Sequence, residues 1–67
     1  MLNTLINVLD YYIKACKNSQ DKGVKQNFCN QAFGACQYHL FVFPNDQKQV
    51  EALWDVYKPQ FEEIIYG

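Results

Sequence analysis

Arginine is absent from this 67-residue chain, and all six of its positively charged residues are lysines. Arginine is the side chain best suited to paired hydrogen bonds with phosphates and base edges, so its absence argues against specific nucleic-acid binding. The charge is +2 over residues 1–45 and −3 over residues 46–67, which gives a formal net charge of −1. Neither half carries enough charge to form a polyanion-binding surface.

Long hydrophobic runs are also absent. No stretch approaches the roughly 20 apolar residues of a transmembrane helix. The apolar residues at the start are interrupted by polar ones and follow no basic segment, which predicts that there is no signal peptide. An odd number of cysteines, three, then predicts reduced thiols in a soluble, cytoplasmic protein.

Aromatic residues, in contrast, are abundant: five Phe, five Tyr and one Trp. A domain this small buries only about 60% of the surface that its unfolded chain exposes. Such chains commonly depend on a disulfide, a metal, very good helix packing or a partner subunit. Each aromatic ring buries a large area, and this chain has more of them than three short helices need for a core.

Helical spacing of apolar residues covers most of the chain and predicts an all-α fold. Helix 1 (residues 3–18) and helix 3 (residues 47–66) each carry one apolar arc of about 120°. Helix 2 (residues 22–40) is apolar over half of its circumference, which is wider than one neighbouring helix can cover. Because the connections are short, neighbouring helices should be antiparallel. We predict an up-down-up three-helix bundle that forms a single domain, residues 1–67.

Polar and proline residues indicate where helices 1 and 2 begin and end. Ser19 or Asp21 can accept a hydrogen bond from the free N–H groups at the start of helix 2. Pro44 disfavours helix at Phe43 and should therefore end helix 2. On the outer face of helix 1, Asp10 and Lys14 have the spacing of a favourable ion pair.

Helix 3 has a predicted cap and an internal proline. Asp46, followed three residues later by Gln49, resembles a capping box. Pro59 lies opposite the apolar arc, where water can satisfy the carbonyl that proline leaves without a donor. We therefore predict one helix, kinked at Pro59, rather than two short helices.

Three cysteines and His39 have the chemistry of zinc ligands. Cys29 and Cys36 lie about 10 Å apart along one helix, whereas two sulfurs bound to one zinc are under about 5 Å apart. We therefore predict small buried thiols, no metal and no other cofactor. His39 near Cys36 also suggests a nucleophile pair, but the sequence places no carboxylate beside it. A buried His39 bonded to a backbone or Tyr oxygen is the favoured interpretation, and an enzyme is not predicted.

Two charged clusters have a possible function and a simpler structural interpretation. The first is an acidic stripe on helix 3, predicted to be a solvated convex face: Glu51, Asp55 and Glu62, with Lys58 among them. The second is a lysine cluster at the turn between helices 1 and 2: Lys14, Lys17, Lys22 and Lys25. The favoured interpretation of these lysines is a solvated end of the helical hairpin. The alternative function is a small nucleic-acid-associated regulator, although no aromatic residues lie between the lysines.

Eight apolar residues lie outside the three helical arcs and form the candidate interaction surface: Phe41, Val42, Phe43, Tyr11, Tyr38, Val8, Val56 and Tyr66. An apolar surplus of this size in so short a chain favours a partner surface over a closed monomer core. We therefore predict a non-catalytic protein–protein interaction module that self-associates as a homodimer. The other interpretation is that Phe41 and Phe43 close one end of the core.

Overall fold

A computed structural model of the chain describes residues 2–67 and confirms the all-α three-helix bundle. The helices are α1 (Leu2–Asn18), α2 (Lys22–Val42) and α3 (Gln47–Tyr66), with a short 3₁₀ turn, Pro44–Asp46, before α3. Within residues 2–67 there is no strand. The bundle measures 36 × 16 × 16 Å, and none of its helices is long and apolar enough to cross a membrane.

The core consists largely of the apolar arcs predicted for α1 and α3. The buried residues of these two helices are Leu5, Leu9, Ile13 and Cys16 on α1 and Val50, Tyr57 and Phe61 on α3. On α2 the buried residues are Ala32, Cys36 and His39. Because Ala32 and Cys36 are small, the larger side chains of α1 and α3 can approach the α2 backbone closely.

α2 departs from the prediction at its end and on its apolar face. It continues to Val42 rather than ending at residue 40, so Phe41 and Val42 are helical. Phe43 then leaves the helix with φ −126° and ψ 72°, since the following proline disfavours the helical conformation only at that residue. The predicted apolar face is also incompletely covered, because Phe33 is 44% exposed.

One predicted cap is confirmed and the other is wrong. The Val24 N–H donates a hydrogen bond of 3.2 Å to Asp21 Oδ1 at the start of α2. Asp46 makes no side-chain cap at the start of α3. Its backbone, at φ −90° and ψ 11°, lacks the extended conformation of a typical N-cap, and its carboxylate bonds to His39 instead.

α3 runs without interruption from Gln47 through Pro59 to Tyr66, as predicted. Proline has no N–H, so the carbonyl of Asp55 loses its helical donor. Both residues are exposed, and water can therefore satisfy that carbonyl. The position of Pro59 opposite the core explains why one helix forms rather than two.

Candidate functional site

A groove of about 460 Å³ runs between α1 and α2. Its lining residues are Thr4, Leu5, Val8, Ala35, Tyr38, His39, Val42 and Phe43. Among the described residues, no Lys, Asp or Glu lines this groove. Half of the predicted interaction surface, namely Val8, Tyr38, Val42 and Phe43, therefore lies in one groove whose described lining has no Lys, Asp or Glu.

Two further predicted residues extend the groove onto the helix surfaces. Tyr11 lies one turn after Val8 on α1 and is 64% exposed. Phe41 lies one turn after Tyr38 on α2, and these rings are 86% and 71% exposed, respectively. Residues three apart share a helix face. We call the groove together with Tyr11 and Phe41 the α1/α2 face.

The last two predicted residues lie elsewhere. Tyr66 is at the opposite end of α2, where its Oη accepts a hydrogen bond of 2.9 Å from Gln26 Nε2. The ammonium of Lys22 lies 4.8 Å from the centre of the Tyr66 ring. Val56 is exposed on α3 and does not line this groove. The structure thus brings four of the eight residues to one groove, and helical spacing puts Tyr11 and Phe41 next to it.

The α1/α2 groove is closed below by a histidine–carboxylate pair that the sequence analysis missed. His39 is only 8% exposed, and its Nε2 lies 2.8 Å from Asp46 Oδ2. A carboxylate can only accept, so Nε2 carries the hydrogen. His39 is buried, as predicted, but its partner is the Asp46 carboxylate and not the predicted backbone or Tyr oxygen. The 3₁₀ turn folds Asp46 back onto α2, which helical spacing does not reveal.

The same pair fixes one wall of the groove. The ring of Phe43 lies 5.0 Å from the His39 ring, and the Phe43 N–H donates to the His39 carbonyl at 2.7 Å. The Asp46 N–H in turn donates to the Phe43 carbonyl at 3.1 Å. Phe43 is consequently half-buried and held in place, whereas Phe41 points freely into water.

A histidine oriented by a carboxylate has the arrangement of a general base, but the thiols of this chain are poor nucleophiles. Burial raises the pKa of Cys36, the cysteine closest to His39 along α2. Burial also raises the pKa of Cys16, which Lys25 only partly offsets, and the pKa of Cys29, which the charges of Cys16 and Glu62 raise further. A thiol with a raised pKa stays protonated and inert near neutral pH.

The side chains that could bind a metal are also dispersed. No group of three or more His, Cys, Asp or Glu side chains in residues 2–67 is arranged to hold a metal ion. The three cysteines are free thiols. Cys16 Sγ lies 3.7 Å from the Lys25 carbonyl, a weak hydrogen bond that occupies this thiol.

A second groove runs between α2 and α3 and is divided by an aromatic pair. The rings of Phe33 and Trp54 are 5.4 Å apart. On one side of the pair lies a depression of about 450 Å³, lined also by Gln26, Cys29, Asn30, Lys58, Glu62, Ile65 and Tyr66. On the other side lies one of about 230 Å³, lined also by Cys36, Gln37, Leu40, Val50, Glu51 and Asp55. We call this whole groove the α2/α3 face.

The position of the acidic stripe corrects a prediction. Glu51 and Asp55 line one depression of the α2/α3 face, and Glu62 lines the other. These carboxylates are exposed to solvent, as predicted, but they border a groove rather than a convex surface. The spacing along α3 places them beside its apolar arc, but only the position of α2 shows that this edge of the arc borders a groove.

The lysines of the predicted cluster lie against different parts of the bundle. Lys25 Nζ donates to the Ile64 carbonyl at 3.5 Å, and Lys22 lies over the Tyr66 ring. These two ammonium groups thus lie at the C-terminal end of α3, where the carbonyls favour positive charge. Lys17 lines a separate depression beside Glu63. Nothing in this arrangement favours the nucleic-acid alternative.

A further polar contact between helices is a hydrogen bond that joins α1 and α3. Tyr57 Oη donates to Asp10 Oδ1, whereas within residues 2–67 Asp10 makes no ion pair with Lys14. The pKa of Tyr57 is raised to about 12, chiefly by burial and then by the hydrogen bond to Asp10 and the charge of that carboxylate. The neutral phenol is therefore favoured in the folded chain.

This raised pKa predicts a loss of stability at high pH. The stabilisation is fully present below pH 10, the pKa of an ordinary tyrosine, and is lost as the pH approaches about 12. We expect the free energy of unfolding to fall less steeply over this range in Tyr57→Phe than in the wild type, as measured by urea titration. Tyr11→Phe, an exposed control, should follow the wild type; equal slopes for all three proteins would contradict the prediction.

Comparison of the chain with protein-family models, with curated proteins and with solved structures finds no match.

Proposed function

We propose that this chain is a small non-catalytic protein–protein interaction module that forms a homodimer through its α1/α2 face. The observation that carries the proposal is a groove whose described lining has no Lys, Asp or Glu and which bears the exposed ring of Tyr38, with exposed Phe41 one helical turn away. Cores of protein interfaces are rich in aromatic residues and poor in charged ones. Full burial of a side chain such as Phe41 in the interface would stabilise the dimer by roughly 1.5–3 kcal/mol.

The absence of Lys, Asp and Glu from the described lining of the α1/α2 groove favours a second copy of the chain as the partner. In a two-fold dimer, a patch on one copy meets the same patch on the other copy. A patch with charge of one sign would therefore face its own charge and be repelled. The lining of the α1/α2 groove has no Lys, Asp or Glu among the described residues. The hydroxyl of Tyr38 both donates and accepts hydrogen bonds, so it can pair with another tyrosine across the axis.

The chemistry of the thiols supports a non-catalytic role in the cytoplasm. Their raised pKa values disfavour nucleophilic chemistry. The free thiols suit a reducing compartment. Assembly would also add to the limited stability of a single 67-residue bundle.

Sedimentation tests the proposed dimer. At micromolar concentration the 7.9 kDa chain should sediment with about twice its own mass, and its resistance to urea should increase with protein concentration. The double variant Tyr38→Ser/Phe41→Ser should be monomeric with unchanged helical content, because both side chains are exposed. Phe43 is left intact since it contacts His39.

Val56→Ser is the matched control, because Val56 is exposed and apolar but lies outside the α1/α2 face. This variant should sediment as the wild type does. A wild-type monomer whose stability is independent of concentration would refute the dimer. Dissociation by Val56→Ser alone would refute its assignment to the α1/α2 face.

A further inference from the structure

The α2/α3 face differs from the α1/α2 face in its chemistry. Its centre is the pair of Phe33 and Trp54, and the Phe33 ring is 44% exposed although it belongs to the apolar face of α2. Trp54 is half-buried against Phe61, at a ring distance of 6.0 Å. The bundle therefore holds Trp54 in a fixed position and leaves Phe33 partly uncovered.

The dimensions of this face fit a helix. Its lining extends along α2 from Gln26 to Leu40, which corresponds to about 21 Å, or four helical turns. A depression between two packed helices is the shape into which the side chains of a third helix fit. An amphipathic helix binds such a groove through apolar side chains spaced at one turn.

The charged residues on this face indicate the sign of the charge that a partner should carry. Glu51, Asp55 and Glu62 line the groove, and Lys58 is the one positive residue among its described lining residues. Within residues 2–67, none of these three carboxylates forms an ion pair; Glu51 accepts a hydrogen bond of 3.1 Å from Gln47. The face is therefore apolar at its centre and negative along its rim.

We propose that the α2/α3 face binds a basic amphipathic helix of a partner protein. Apolar side chains of that helix pack on Phe33 and Trp54, and its lysine or arginine side chains pair with the three carboxylates. A second copy of this chain is a poorer occupant, since two negative faces would repel each other. The surface is separate from the α1/α2 face, so the inference does not depend on the proposed dimer.

Trp54 provides a direct test, because it is the chain's one tryptophan. The probe is a synthetic helix of about 15 residues, with leucine at every third or fourth position and lysine and alanine elsewhere. Its addition should change the Trp54 emission in a saturable way, and added salt should weaken binding. A peptide with glutamate in place of lysine should bind at least about tenfold more weakly, a difference that charge pairing predicts.

Variants locate the binding surface. Glu51→Gln/Asp55→Asn/Glu62→Gln should weaken binding of the basic peptide about tenfold or more, and Phe33→Ala should also weaken it. Glu63→Gln is the matched control, because Glu63 is an exposed carboxylate on α3 that lines a different depression. The circular dichroism spectra of all variants should match the wild type.

Three results of the peptide titrations would overturn the inference: no emission change with the basic peptide, equal binding of the two peptides, or equal binding by the triple variant and Glu63→Gln. A change in Trp54 emission that depends on protein concentration alone would also overturn it, since a second copy would then occupy the groove. Tyr38→Ser/Phe41→Ser should bind the peptide as the wild type does, so failure of the dimer and failure of this site are distinguishable.

Discussion

Phe61→Ala should lower the free energy of unfolding by about 3–5 kcal/mol, whereas Phe41→Ala should change it by less than about 0.5 kcal/mol. Phe61 is 0% exposed and contacts Trp54, while Phe41 is 86% exposed. Loss of the Phe61 ring leaves a cavity that the surrounding helices fill only partly. A chain of this size has a total stability of roughly 3–10 kcal/mol, so much of the variant should be unfolded.

Urea titration followed by circular dichroism measures both variants. Protein concentration must be kept low, because Phe41→Ala should weaken the proposed dimer and so reduce the contribution of assembly to apparent stability. The same side chain is removed in both cases, and only its burial differs. Similar losses of stability in the two variants would contradict the assignment of Phe61 to the core and Phe41 to the surface.

The helices of this protein could be predicted from the sequence because their apolar spacing persists over several turns. On α1 the arc predicted to face inward supplies buried Leu5, Leu9, Ile13 and Cys16, and on α3 Val50 and Phe61 are buried. The predicted end of α2, at residue 40, is two residues too early for a physical reason. Pro44 restricts the conformation of Phe43 directly, but Phe41 and Val42 retain N–H groups and can continue the helix.

The site could be predicted only in part, because it depends on how the helices face one another. Spacing along α1 places Asp10 on the outer side, yet its carboxylate reaches Tyr57 of α3, 47 residues later in the chain. Likewise, Phe33 lies within the apolar half of α2, but it stays partly exposed although its ring lies 5.4 Å from that of Trp54 on α3. Contacts of this kind follow from the rotation and separation of helices, which periodicity within one helix does not define.

Asp46→Ala should be the next most destabilising change, at about 1–3 kcal/mol, although Asp46 lies in a short turn. Its removal leaves the Nε2–H of buried His39 without the acceptor that lies at 2.8 Å. A buried donor without a partner costs more than the hydrogen bond contributes on its own. Because the same contacts position Phe43 as a wall of the α1/α2 groove, dimer affinity should fall together with stability.

Two substitutions separate these effects. Asp46→Asn retains a carbonyl oxygen that can accept from His39, so it should recover part of the lost stability. Asn45→Ala, in the same turn but exposed, should change stability by less than about 0.5 kcal/mol. Unfolding should be measured by urea titration and the dimer by sedimentation. If Asp46→Ala proves as mild as Asn45→Ala, the His39–Asp46 pair does not hold the turn, and Phe43 is positioned by its backbone bond to His39 alone.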